Sequence, residues 1–142
     1  MKKLLILLSL TTAMTAFGAA NVIEESDTMK ITAKIVKPLR VSSEAMALGT
    51  IVQGASASGQ STVTIEGDRG HGITVDLIKP THLTSTNGDQ LQIVLNTNYI
   101  PTHIGEDEKT EFIVYGNISA ESTATAPSGV YSGNLITSVR YN

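Results

Sequence analysis

The sequence contains no cysteine and no tryptophan. Without cysteine no disulfide framework is available, so a fold must rest on burial and backbone hydrogen bonding alone. Aromatic residues make up only 4% of the chain, which removes the usual stacking platforms for bases and sugars. Positive charge is also scarce: ten Lys and Arg stand against thirteen Asp and Glu, the basic residues scattered singly between apolar ones. A phosphate-backbone binder needs clustered cations that displace counterions, so no nucleic acid partner is expected. The same balance disfavours an anionic membrane surface.

Long apolar runs are absent except at the start. Lys2 and Lys3 precede Leu4, Leu5, Ile6, Leu7, Leu8 and Leu10, which run into Ala13 and Met14. The stretch is too short to span ~30 Å of hydrocarbon as a permanent anchor. Small residues at Gly18 and Ala20 fit a signal peptidase, so residues 1–20 read as a cleavable signal peptide cut between Ala20 and Asn21. The membrane is then met only during export, and no cysteine follows to carry a lipid. Residues 21–142 remain as a single domain. Its eight basic and thirteen acidic residues give a formal net charge of −5.

What the chain does have is alternation. From Thr28 onward β-branched or apolar residues alternate with Thr, Ser or Lys, interrupted by glycine-rich turns. In residues 28–36, Met29, Ile31, Ala33 and Ile35 share one face, and Pro38 ends the run because it cannot donate to a ladder. Further strands are expected at 39–41, 46–52, 61–66, 73–78, 91–95, 111–118 and 131–141, with 54–59 a small-residue loop. No amphipathic helix is expected after residue 20. Seven or eight short strands of this spacing predict an all-β fold, an immunoglobulin-like antiparallel β-sandwich, with a closed barrel as its rival.

Groupings with chemical potential resolve into simpler structures. Gly67, Gly70 and Gly72 around His71 are followed by a strand, whereas a phosphate loop feeds a helix N-terminus, so they read as a turn. Ser56 and Ser58 lack the Gly-x-Ser-x-Gly spacing and the helix of a nucleophile elbow. His71, His82 and His103 lie far apart without zinc-ligand pairing. Glu106, Asp107 and Glu108 read as a solvated charge run rather than a calcium loop. The sequon Asn117, Ile118, Ser119 falls within a strand and reads as inert. No catalytic residue, metal or cofactor is assigned, and the chain reads as a binding or assembly protein rather than an enzyme.

The C-terminal segment is the most distinctive. Tyr131, Gly133, Leu135, Thr137, Val139 and Tyr141 fall on one face, Tyr141 is penultimate, and Gly129 is fourteenth from the end. Here the sequence resembles the subunits of chaperone-usher fimbriae, which end in an alternating apolar strand with a penultimate aromatic and a glycine at that position. The stretch from Lys30 to Pro38 is similar to the donor strand and following proline of the cysteine-free alpha-type subunits, and 127–134 resembles their penultimate turn. The Gly49, Thr50, Ile51, Val52 strand also resembles an uncharacterised family of small secreted bacterial β-sandwich domains.

The resemblance implies an incomplete sandwich whose apolar groove is filled by residues 28–36 of the next subunit through β-strand addition. Met29, Ile31, Ala33 and Ile35 are then the donor anchors. Gly129, Tyr131, Gly133, Leu135, Val139 and Tyr141 form the acceptor strand, which a periplasmic chaperone captures before an outer-membrane usher passes the subunit outward. The implied partners are like subunits, and the implied location is the periplasm and then the cell surface or a fimbrium. The other reading is a self-complete monomeric module that binds a ligand through its loops, around residues 105–109.

Overall fold

The computed structural model describes residues 25–142. The expected signal peptide, residues 1–20, lies outside the described residues. The chain divides into two units, Met1–Lys34 and Ile35–Asn142. Residues 25–34 carry no regular secondary structure and are exposed throughout.

The second unit is mostly β. Its strands are β1 (Arg40–Ser43), β2 (Ala57–Glu66), β3 (Ile73–Ile78), β4 (His82–Ser85), β5 (Gln90–Gln92), β6 (Val94–Thr97), β7 (Lys109–Ile118), β8 (Tyr131–Ser132) and β9 (Ile136–Tyr141). One short helix, α1 (Ala120–Thr125), follows β7. Every pairing is antiparallel, in a four-stranded sheet ordered β1-β2-β7-β6, a pair β3-β9, and a three-stranded sheet β5-β4-β8. The run 90–97 changes sheets at Ile93: β5 pairs β4, β6 pairs β7, and the Ile93 amide donates to Thr81 O at 3.0 Å.

Alternation explains the long strands. β2 and β7 pair over ten residues, from Ala57 opposite Ile118 to Glu66 opposite Lys109. Val63, Ile65, Phe112, Val114 and Ile118 point inward and are buried, while Thr64, Glu111 and Asn117 point out. Successive strand side chains take opposite faces, so one face packs on Ile73 and Val75 of β3 and on Val139 and Tyr141 of β9. A second cluster gathers Leu91, Ile93, Ile118 and Ala126. Ile104 is fully buried although it belongs to no strand.

Five expectations are corrected. Residues 28–36 and 46–52 form no strand, because a strand needs a neighbouring backbone as well as alternation, and neither run pairs with one among the described residues. The 54–59 loop is shorter than expected, since β2 already begins at Ala57. The run expected at 131–141 is divided into β8 and β9 by residues 133–135, β8 pairing with β4 and β9 with β3. The Ser, Thr and Ala stretch after β7 is helical over one and a half turns, started by Ser119, whose Oγ accepts from the Ser122 amide at 3.2 Å.

Candidate functional site

The site is a groove of about 1030 Å³ between two stretches of backbone. One wall is 43–53, the run that follows β1; the other is 127–135 continuing into Thr137 of β9. The floor is apolar, with Val63, Leu83, Leu91, Ile93, Leu95 and Val114 lining the cleft from below. Among the described residues, the backbone groups of 45–51 make no backbone hydrogen bond, and residues 133–135 make none either. β9 pairs along one edge only, with β3. Two unpaired backbone edges thus flank an apolar trough. In a closed sheet those groups would be paired, since an unmet backbone donor or acceptor is costly once buried.

Each wall is fixed by identifiable side chains. Met46 and Leu48 turn toward the core with strand-like alternation but no strand partner, and after the chain turns at Gly49 (φ +72°) Ile51 packs inward as well. The Ser61 hydroxyl donates to Glu44 O at 2.5 Å at one end of this wall. At the other end Gln53 Nε2 donates to Ala126 O at 2.7 Å, and the Thr123 hydroxyl donates to Ala55 O at 2.7 Å. The far wall is held by the Tyr131 hydroxyl, which donates to Pro127 O at 2.7 Å. Partial burial and the nearby Asp89 carboxylate raise the Tyr131 pKa.

Of the acceptor residues expected from sequence, Gly129, Tyr131, Gly133 and Leu135 line the groove. Val139 and Tyr141 do not; they pack on the core further along β9. The Tyr141 hydroxyl accepts from the Asp68 amide at 2.8 Å and donates to Lys37 O at 2.7 Å. Lys37 Nζ lies 2.5 Å from Glu108 Oε1, and that hydrogen bond raises the lysine pKa. Glu108 is itself held at φ +64°, a conformation uncommon for a residue with a side chain. Its amide donates to Gly105 O and its carbonyl accepts from the Gly67 amide, both at 3.1 Å.

Among the expected donor anchors Met29, Ile31 and Ile35 are 83%, 86% and 93% exposed, and Ala33 is exposed as well. Water therefore covers a row of side chains that would ordinarily be buried. The loop histidines stay apart: His103 Nδ1 meets its neighbour Thr102, His82 Nδ1 meets Thr81, and the His71 ring stands edge-on to Tyr141 with centroids 5.7 Å apart. Among the described residues no group of His, Cys, Asp or Glu is arranged to hold a metal ion.

Sequence reasoning overlooked the wall 43–53 as an unpaired edge and the floor residue Leu83, which sits in a strand too polar to stand out. The signal for the wall was the alternation of Met46 and Leu48 in a run that has no strand partner among the described residues. Compared with family models, curated proteins and solved structures, the chain finds no match.

Proposed function

We propose that this protein is a structural subunit of a fimbria-like surface polymer, assembled by β-strand addition. The observation that carries this reading is the groove with two unpaired edges. In this reading the sheet orders β1-β2-β7-β6 and β3-β9 take the places of the A-B-E-D and C-F strands of an immunoglobulin-like sandwich without its G strand. A strand laid between 45–51 and 133–137 pairs with backbone on both sides and covers the apolar floor.

The occupant is residues 28–36 of a second copy. At ~3.3 Å per residue the nine residues extend to about 30 Å, matching walls of nine to eleven residues. Its four apolar anchors fall on one face, as a donor facing such a floor requires. Burial of Met29, Ile31 and Ile35 is worth about 1.5 to 3 kcal/mol each, before any backbone hydrogen bond is counted. Because each copy bears both an arm and a groove, the contact is head-to-tail and does not close on itself, so it propagates as a fibre. The fimbrial resemblance extends the reading to a periplasmic chaperone that holds the groove of the free subunit, and to an outer-membrane usher.

The test is the size of the purified protein on unheated and heated SDS gels, beside Ile31→Asp. Wild type is expected to form SDS-resistant ladders that heat dissolves. Ile31→Asp is expected to remain a folded monomer whose groove binds a synthetic peptide copying 28–36. A wild type that stays monomeric at high concentration and takes up no peptide would mean a self-complete module, and the polymer reading would fall.

A further inference from the structure

We infer that Tyr141, Lys37 and Glu108 form a clasp that keeps the groove from accepting the arm of its own chain and so reserves it for a second copy. This rests on the reading of the groove as a strand acceptor. The wall begins at Ser43, only six residues after Lys37. For 28–36 to lie against 45–51 of the same chain, the backbone must reverse over residues 37–40. The compact solution is a β-turn whose first carbonyl, that of Lys37, accepts from the Arg40 amide.

Three of the four members of that turn, Lys37, Leu39 and Arg40, are already committed. Lys37 O accepts the Tyr141 hydroxyl at 2.7 Å, and Lys37 Nζ is tied to Glu108 at 2.5 Å. The Tyr141 oxygen also accepts from the Asp68 amide, so its proton is directed at Lys37. Pro38, at the second position, is compatible with such a turn, so the block rests on the other three residues. Leu39 is packed against the core where Gly67 leaves room: a Cβ on Gly67 would stand 2.8 Å from Leu39 Cδ2 and 2.7 Å from the Tyr141 hydroxyl. Arg40 is already the first rung of the ladder to Glu66. A reversal here therefore dismantles several contacts at once. The arm of a second copy enters from outside and needs no turn.

The experiment uses the full chain, as wild type, Tyr141→Phe and Glu108→Gln, freshly refolded at low concentration and exposed briefly to trypsin. The free arm offers Lys30 and Lys34, whereas Lys37 is followed by proline and resists. Wild-type monomers are expected to lose the arm quickly. Tyr141→Phe monomers are expected to be cut several-fold more slowly, with the arm lodged in their own groove, and to give correspondingly weaker SDS-resistant ladders when concentrated. Should Tyr141→Phe lack a cooperative melt, Glu108→Gln, which keeps the hydroxyl, carries the comparison in the same direction. Folded variants cut at the wild-type rate, with wild-type ladders, overturn the clasp and leave the groove reading intact. Absence of protection and of ladders in every protein, with no uptake of the 28–36 peptide, overturns both.

Discussion

Gly59 and Gly116 stand directly opposite each other on β2 and β7, and the space left by their missing side chains is occupied by Met46 and Leu48 of the groove wall. A Cβ on Gly59 would lie 2.9 Å from Leu48 Cδ2, and one on Gly116 would lie 2.6 Å from Met46 Sδ. The two glycines set how deeply the wall sits. Gly59→Val or Gly116→Val is expected to push the wall into the groove, costing about 1–3 kcal/mol of stability through overpacking. Uptake of the 28–36 peptide is expected to weaken as well. Urea denaturation and a peptide-binding titration measure the two effects; wild-type values in both would show that the wall is held by other means.

Ile104 shows how an irregular segment enters the core. Its amide donates to His71 O at 2.9 Å and its carbonyl accepts from the Gly70 amide at 3.0 Å, so the loop is fastened on both sides of a fully buried side chain. Ile104→Ala is expected to cost about 2–5 kcal/mol, as for a core position inside a strand. A loss below about 1 kcal/mol in equilibrium unfolding would mean that the loop collapses onto the cavity.

These positions mark where the sequence was legible. Val63, Ile65, Phe112 and Val114 were readable because alternation reports which face is buried, and in β2 and β7 the buried face and the paired backbone coincide. In 28–36 and 46–51 they do not coincide. There the apolar pattern is present, while no paired backbone accompanies it among the described residues. Tyr131, Gly133 and Leu135 line the groove, but the contact of Tyr141 with Lys37 depends on a hydroxyl reaching a residue 104 positions away. No local pattern encodes such a contact. Leu83 and the short helix were missed for a related reason, since their neighbours are polar and only tertiary packing buries them.

The turn after β4 is organised by one buried hydroxyl. Ser85 Oγ accepts from the amides of Asn87 at 3.2 Å and Asp89 at 3.1 Å, and donates to the Asp89 carboxylate at 3.2 Å. Gly88 completes the turn at φ +88°. Ser85→Ala leaves those donors without a partner and is expected to cost about 1–3 kcal/mol. Gly88→Ala forces a side chain into a left-handed conformation, at about 1–2 kcal/mol. Since Ser85 faces Tyr131 in the β4-β8 pairing, the serine change is also expected to loosen the far wall of the groove. Hydrogen exchange at Tyr131 and Ser132 is the direct measurement, and unchanged protection there would separate the turn from the wall.

Two groups have a raised pKa in the folded protein. Lys37 has its pKa raised by the Glu108 hydrogen bond, and Tyr131 has its pKa raised by desolvation and by Asp89. A raised folded-state pKa means that the protonated form is favoured by folding. Any stability from these groups is therefore fully present below their ordinary values of about 10 and is lost as pH rises through the raised values. The difference in melting temperature between wild type and Lys37→Met is expected to be constant from neutral pH to about 9 and to shrink above about 10.5. Tyr131→Phe is expected to follow the same course from about 10. A difference that already falls between pH 5 and 8 would assign the contribution to another titrating group.

Two glycines of one segment separate folding from groove occupancy. At Gly129 the nearest atoms to an added Cβ are Ser85 Cβ and Tyr131 Cε2, both at 3.9 Å, and its backbone lies outside the left-handed region. At Gly133 the added Cβ meets Leu83 Cδ2 at 2.9 Å. Gly129→Leu is therefore expected to change stability by less than about 0.5 kcal/mol while projecting a side chain into the cleft. Gly133→Leu is expected to lose about 1–3 kcal/mol, because it crowds the β4 strand beneath. If the groove takes a strand, Gly129→Leu keeps the wild-type melt yet loses the SDS-resistant ladder and the peptide complex. If ladder and complex survive unchanged, the 129 end of the groove lies beyond the inserted strand, and the occupant is confined to the stretch between Tyr131 and Thr137.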